Sequence, residues 1–288
     1  FKNRQSTIFP DFVVSKRNSD LMTRGKGFYA VYDEETKLWS TNEHDVQRLV
    51  DKMLFDYNED SENQYHVSSL GLYSSGEWDN WSRYVRRIPD NYVALDEKVI
   101  FDNTDVTKED YASHKLSYSL LEADIPAYEK LVSTLYDPVE REKFEWAIGS
   151  IIAGDSKDIQ KFFVMYGPPG SGKSTVLNII SMLFEGYWKP FNSKELGNSS
   201  SSFALEDFKT NPLVAIDHDA DLSRLETNTR LNSIVSHESI VVNEKFKSKY
   251  DMIVKSMLFI GTNSPVKITD AKSGLTRRLI DIVPSERK

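Results

Sequence analysis

The chain has 288 residues, no cysteine and a formal net charge of −8. The lack of cysteine excludes disulfides and thiolate metal sites. No apolar run approaches the ~20 residues that a membrane-spanning helix requires. The acidic balance argues against a simple module that coats DNA by charge alone, because such modules are basic. The chain begins at Phe1 and shows no signal peptide, so we interpret it as a fragment of a longer protein.

The first part of the chain predicts a small mixed α+β domain over residues 1–120. An aromatic strand at 27–32 and a return strand from Leu38 flank a polar turn. A helix is expected after the cap signal at 41–43, and its apolar face comprises Val46, Leu49, Val50, Met53 and Leu54. Residues 91–101 predict a short hairpin around Asp96-Glu97. Trp78, Trp81 and the arginines near them are interpreted either as buried aromatics with exposed charges or as DNA contacts.

Two helices, followed by alternating short strands and helices, are expected in the rest of the chain. Pro126 opens one helix, and Asp137-Pro138 opens the next, which stops at Gly154. Residues 121–157 are therefore a helical segment. From residue 158, short apolar strands at 162–166, 213–216, 257–261 and 279–283 alternate with helices at 174–184 and 230–235. This alternation predicts an α/β domain over 158–288 with a central, mainly parallel sheet.

A phosphate-binding loop is the most specific signal in the sequence. The residues expected to hold a nucleotide are Gly167, Pro168, Pro169, Gly170, Ser171, Gly172, Lys173, Ser174 and Thr175. The first eight match G-x-x-x-x-G-K-[ST] between a predicted strand and a predicted helix. Glycines let successive backbone N–H groups point at phosphate oxygens, and the helix directs its positive end to the same place. Lys173 is expected to reach the β- and γ-phosphates of ATP, and Ser174 to ligate Mg²⁺.

Acidic and amide side chains follow the next two core strands. Asp217 is expected to hold the metal, and Asp219 to orient or deprotonate the attacking water, although these two roles can be exchanged. His218, between them, is interpreted as a local hydrogen-bonding residue, because no second histidine lies at ligand spacing. Asn263 is expected to hold the attacking water beside the γ-phosphate. The alternative for Asn263 is a turn residue before Pro265.

Two arginines precede the last predicted strand. In an isolated monomer Arg277 and Arg278 would have no evident role at a phosphate. In a ring, one of them can reach the ATP of the neighbouring subunit and stabilise the charge of phosphoryl transfer. Arg278 is the expected finger, with Arg277 as the other candidate. The alternative is a structural salt bridge or surface charge.

These motifs together resemble the superfamily 3 helicase domain, an AAA+ P-loop motor of viruses, phages and plasmids. Upstream segments at 27–29, 91–95 and 146–149 resemble the domain that precedes the motor in phage and poxvirus primase–helicases. The resemblance implies a homohexamer that encircles single-stranded DNA in a central channel and moves along it with ATP and Mg²⁺. It further implies contacts with other replication proteins, no membrane, and a location in the host cytoplasm.

The family also places a basic hairpin between the acidic strand and the asparagine strand. Here Lys245, Lys247 and Lys249 alternate in that interval, so they are expected to share one face and to contact DNA. The chain departs from the family in having Asp-His-Asp rather than glutamate or an acidic pair. We expect any primase domain and any C-terminal DNA-binding domain to lie outside the fragment. The alternatives are an AAA+ initiator or remodeller that does not unwind DNA, a P-loop kinase, and a binding module without hydrolysis.

Overall fold

The fold is described from a computed structural model that covers residues 20–60, 79, 83, 86–198, 204–221, 227–243, 249–266 and 274–285. The helices are α1 (Glu43–Glu59), α2 (Pro126–Leu135), α3 (Pro138–Ala153), α4 (Lys173–Leu183), α5 (Ser193–Leu196), α6 (Thr229–Val235) and α7 (Leu275–Arg278). The strands are β1 (Leu21–Arg24), β2 (Gly27–Asp33), β3 (Leu38–Ser40), β4 (Phe162–Tyr166), β5 (Trp188–Pro190), β6 (Val214–Ala220), β7 (Ser239–Val242), β8 (Tyr250–Ile253), β9 (Met257–Thr262) and β10 (Leu279–Ile282).

The chain forms two compact units. The first contains the chain up to Ala94 and the segment Val106–Ser113, and the second contains Leu95–Asp105 and most of the chain from His114 onward. The chain therefore passes between the units more than once before residue 120. The boundaries predicted at 120 and 157 remain predictions.

The first unit is built on the antiparallel sheet β1-β2-β3. Trp39 of β3 is 2% exposed, and its indole N–H donates to the Lys108 carbonyl at 3.0 Å. Helix α1 begins after Asn42, whose side chain accepts from the His44 N–H at 3.1 Å. On the predicted apolar face Val46 is buried and Leu49 is half-buried, whereas the side chains of Val50, Met53 and Leu54 lie outside the described part. Trp78 and Trp81 also lie outside it.

The second unit is an α/β layer structure around a five-stranded parallel sheet in the order β10-β4-β9-β6-β5. The predicted parallel sheet is thus confirmed. Alternate residues of β4 enter two different cores. Phe163 and Met165 pack with residues of α2, α3 and α4, whereas Phe162 and Val164 pack with residues of α6 and the 204–208 segment. Both faces of the sheet are covered, which explains why β4 is a continuous apolar run.

The two helices before the sheet begin where the sequence predicts, and the second also ends there. Pro126 is the first residue of α2. The Asp137 carboxylate caps α3 by accepting from the N–H groups of Val139 and Glu140 at 2.9 and 3.0 Å. Gly154 ends α3 with a φ of 80°, which a residue with a side chain adopts only with strain.

The hairpin predicted at 91–101 is wrong, because the two arms bond to different segments. The Asn91 N–H donates to the Thr23 carbonyl at 3.2 Å. The Ile100 N–H instead donates to the Tyr187 hydroxyl at 3.0 Å, and the Ile100 carbonyl accepts from the Leu116 N–H at 2.8 Å. Leu95, Val99, Ile100 and Phe101 are buried, whereas Val93 is exposed, and the segment contains no strand.

Candidate nucleotide site

The loop between β4 and α4 contains two glycines in the left-handed conformation. Gly170 and Gly172 have φ values of 77° and 97°, in the left-handed region that favours glycine. A Cβ added to Gly170 would enter open space, so this part of the loop has room for a ligand. Lys173 is the first residue of α4, and Ser174 and Thr175 are exposed in its first turn. The loop therefore presents a helix N-terminus toward an open region.

Lys173 lies inside this loop. Its ammonium donates to the carbonyls of Gly167 and Pro168 at 2.6 and 2.9 Å, and the residue is only 7% exposed. Burial lowers the pKa of the Lys173 ammonium, and the negative charge of Asp219 partly opposes that shift. A buried cation held by neutral oxygens is a suitable counter-ion for a phosphate.

Two segments that are distant in sequence pack against the glycines of the loop. A Cβ on Gly172 would lie 2.7 Å from Leu135 Cδ2, and a Cβ on Gly167 would lie 2.9 Å from Ser171 Oγ and 3.3 Å from Pro284 Cδ. The end of α2 and the segment after β10 thus pack closely against the loop. Sequence motifs do not indicate Leu135, because its role depends on tertiary packing.

The two aspartates in the C-terminal half of β6 have different surroundings. Asp217 is half-buried, and its Oδ2 accepts from the Ser193 N–H at 2.8 Å and from the Ser193 hydroxyl at 2.6 Å. Ser193 is 1% exposed and starts α5. Asp219 is exposed, and its side chain is the one that approaches Asn263. Asp217 therefore anchors α5, whereas the charge of Asp219 acts on the ammonium of Lys173.

Asn263 completes a group with Asp219 and Lys173. The Asn263 amide donates to Asp219 Oδ1 at 3.4 Å, and Asn263 directly follows β9. In the sheet order β9 lies between β4 and β6, so Asn263 lies between the phosphate loop and the acidic strand end. The predicted residues at these three carboxyl strand ends are therefore brought to one edge of the sheet, where ligands of open parallel sheets bind.

A bulge in β6 separates the two aspartates. Asp217 pairs with Ile260 and Ala220 pairs with Thr262, so three steps along β6 match two along β9. At this point a Cβ on Gly261 would lie 2.8 Å from the His218 carbonyl oxygen and 2.9 Å from Leu177 Cδ1. Gly261 was not predicted as a site residue, although a glycine inside an apolar strand signals a bulge or a close backbone approach.

The arginine pair divides into one exposed and one buried side chain. Arg277 is exposed, whereas Arg278 is 7% exposed and donates from Nη1 to the Gly274 carbonyl at 3.1 Å. Arg278 Nε is buried without a hydrogen-bond partner. Burial lowers the pKa of the Arg278 guanidinium, and Arg277 adds to that effect. In the single chain the expected finger, Arg278, therefore faces the interior.

The basic segment at 245–249 lies between β7 and β8 in the sequence. Strands β7 and β8 form an antiparallel pair in which Val242 is opposite Tyr250. Lys249 is exposed just before β8. Lys245 and Lys247 lie outside the described residues, so their predicted contact with nucleic acid remains a prediction.

The site has few protein ligands for a metal. Within the described ranges, no three His, Cys, Asp or Glu side chains form a group that could hold a metal ion. Mg²⁺ is commonly bound by only one or two carboxylates together with substrate phosphates and water. The described helices include none long and apolar enough to cross a membrane.

Comparison with known proteins gives a partial family match. Residues 165–278 match a family of unknown function, DUF5906, which is less than half of the chain. No curated protein matches the chain. Three apo structures of the NrS-1 C-terminal region are 18%, 16% and 15% identical, with TM-scores of 0.33, 0.42 and 0.43. They match 43%, 58% and 57% of this chain, which covers only 29%, 39% and 39% of theirs. Likeness this low carries no conclusion about activity.

Proposed function

We propose that the second unit binds and hydrolyses ATP as the motor domain of a DNA replication protein of the superfamily 3, AAA+ type. The observation that carries this proposal is the convergence of Lys173, Asp219 and Asn263 at one edge of the parallel sheet, beside a loop with two left-handed glycines. A cation for phosphate, a carboxylate and an amide at one sheet edge are the parts that phosphoryl transfer to water requires.

Binding is assigned to the loop and the first turn of α4. Backbone N–H groups of 170–174 and the helix N-terminus would hold the phosphates. The Lys173 ammonium, which donates to two carbonyls in the nucleotide-free chain, would exchange them for phosphate oxygens. Ser174 and an aspartate of the β6 end would hold Mg²⁺, which when bound would neutralise charge on the phosphates.

Asp219 is the better candidate for the reacting carboxylate. It is exposed toward Asn263 and acts electrostatically on Lys173, whereas Asp217 is engaged by Ser193. Asp219 would accept the proton of the attacking water, and Asn263 would orient that water. Asp217 would hold α5 in place through Ser193. Its Oδ1 also accepts from the Asp219 N–H at 3.4 Å.

The motor assignment requires a ring. We propose a homohexamer around single-stranded DNA in which one of Arg277 and Arg278 reaches the site of the neighbouring subunit. Arg277 is already exposed, and Arg278 would have to turn outward. The exposed Lys249 and its neighbours Lys245 and Lys247 would face the channel.

The test is ATP hydrolysis by the purified chain, with and without single-stranded DNA, together with separation of a labelled duplex. Lys173→Ala should abolish hydrolysis, and Lys189→Ala, which removes an exposed lysine of β5, should leave it unchanged. Hydrolysis without strand separation would support an initiator or remodeller instead of a helicase. Transfer of phosphate to an acceptor other than water would indicate a kinase, and a chain that binds but never hydrolyses ATP would contradict the proposed enzyme.

A further inference from the structure

The β1–β2 turn of the first unit carries an arginine stacked on two tyrosines. Arg24 Cζ lies 4.4 Å from the ring centroid of Tyr29 and 5.0 Å from that of Tyr92. The two rings are in edge contact at 5.2 Å. Stacking engages the faces of the guanidinium, whereas its N–H groups donate in the plane. The tyrosines thus hold a planar cation at the end of the sheet.

A second segment is fastened to this turn. Gly25 and Lys26 both have positive φ, and their N–H groups donate to the two carboxylate oxygens of Asp90 at 2.8 and 3.2 Å. The Thr23 hydroxyl donates to the Pro89 carbonyl at 3.1 Å. Pro89 and Asp90 are therefore bonded to the turn, and Arg86, Arg87 and Ile88 directly precede them in the chain.

Two arginines, Arg86 and Arg87, lie just before this bonded pair in the sequence. Arg86 and Arg87 are exposed, as is Lys26 in the turn. Arg87 lies three residues before Asp90, so its backbone is within about 11 Å of the residue that binds the turn. Arg24, Lys26, Arg86 and Arg87 form what we term the basic turn cluster. It concentrates positive charge in a chain whose formal net charge is −8.

We infer that the basic turn cluster binds single-stranded nucleic acid, with Arg86, Arg87 and Lys26 on phosphates and the half-buried Tyr92 stacking on a base. Cations beside an aromatic platform form the usual surface for single strands, because every base offers a π-face. The choice of nucleic acid over other polyanions rests on the function proposed above.

The experiment measures fluorescence anisotropy of a labelled oligo-dT strand without ATP over a range of salt concentrations. Removing two phosphate contacts should reduce the magnitude of the log K against log salt slope by about 1.4 and weaken binding about tenfold at ~0.15 M salt. Arg86→Ala/Arg87→Ala should show this change. Lys115→Ala/Lys130→Ala, which removes two exposed charges from the second unit, should not.

Tyr92→Leu tests the stacking contact and should weaken oligo-dT binding roughly fivefold or more while leaving the salt slope unchanged. Thermal unfolding of each variant checks that it is folded. Wild-type affinity and slope in Arg86→Ala/Arg87→Ala would overturn the inference. Inorganic polyphosphate that competes as well as unlabelled oligo-dT per charge would overturn the assignment to nucleic acid. Lys173→Ala should bind oligo-dT through the cluster as the wild type does, so failure of the proposed ATPase and failure of this site remain distinguishable.

Discussion

At the residue scale, two aspartates that lie two positions apart, Asp217 and Asp219, have different contacts. Asp217 accepts two hydrogen bonds from Ser193, whose N–H and hydroxyl would otherwise be buried without a partner. Asp219 is exposed and borders Asn263 and Lys173. The sequence leaves the exchange of the two roles open, and we propose Asp219 as the reacting group because Asp217 is engaged by Ser193.

Asp217→Ala and Asp219→Ala form a matched pair that separates these roles. Asp217→Ala should lower the free energy of unfolding by about 1–3 kcal/mol, because the buried donors of Ser193 lose their acceptor. Asp219→Ala should change stability by less than about 0.5 kcal/mol but lower kcat for ATP by about 10²–10⁴-fold. Urea unfolding and steady-state hydrolysis measure the two effects. Equal loss of stability in both variants would contradict the division of roles.

The buried ammonium of Lys173 predicts a pH dependence of stability. Burial lowers the pKa of Lys173 in the folded chain, so between its folded and unfolded pKa values the unfolded state binds more protons. Stability due to this group therefore rises with pH across that interval. The Lys173→Met variant lacks this contribution, so its stability relative to the wild type should decrease as the pH rises toward the ordinary pKa of lysine. Denaturant unfolding of the nucleotide-free proteins measures it, and a difference that does not vary with pH would refute the prediction.

At the element scale, the geometry of the site depends on the β6 bulge. Because of the extra residue in β6, Asp217 and Asp219 have different surroundings. The bulge fits against β9 because Gly261 of β9 has no side chain. A methyl group at position 261 would meet the backbone oxygen of His218, which cannot move without moving the acidic strand end.

Gly261→Ala should therefore destabilise the chain by about 1–3 kcal/mol and reduce ATP hydrolysis, because overpacking here displaces the backbone that carries Asp219. Gly149→Ala is the control. Gly149 is an exposed residue inside α3, where an added Cβ meets nothing within 4 Å, and alanine there should stabilise the chain by about 0.5–1 kcal/mol. Denaturant unfolding distinguishes the two, and a neutral Gly261→Ala would show that the bulge can relax.

Local patterns predicted the elements whose signals are local. The β4 strand, the Asp137 cap and the Gly154 stop are where the sequence places them, because strand apolarity and helix caps depend on adjacent residues. The prediction of a hairpin at 91–101 is wrong because this segment bonds to distant partners, such as the Tyr187 hydroxyl that accepts from the Ile100 N–H. The roles of Ser193, Leu135 and Gly261 are likewise set by contacts between segments far apart in sequence. A single sequence carries no direct signal for such contacts.

At the scale of the whole molecule, the proposed reaction needs an arginine in addition to Lys173, and the candidates among the described residues are Arg277 and Arg278. Arg277 is exposed, and Arg278 is buried against the Gly274 carbonyl with an unpartnered Nε. A buried guanidinium without full hydrogen bonding is unfavourable, so an outward turn of Arg278 on assembly would lose little. Either side chain is thus a candidate for a site shared between subunits.

Mixing variants tests whether the cation acts between subunits. Arg277→Ala and Arg278→Ala should each still bind ATP, and the one that removes the finger should lose about 10³-fold or more in hydrolysis. Mixing that inactive variant with Asp219→Ala should restore part of the activity, because some interfaces then combine an intact carboxylate with an intact arginine from the neighbouring copy. A mixture of the arginine variant with Lys173→Ala should recover in the same way, since it also supplies both intact halves.

The mixed samples are compared with each variant alone by ATP hydrolysis, and their mass is measured by light scattering with ATP and single-stranded DNA. Recovery that is absent from every mixture, in samples that have assembled, would place the arginine and the phosphate site in the same subunit.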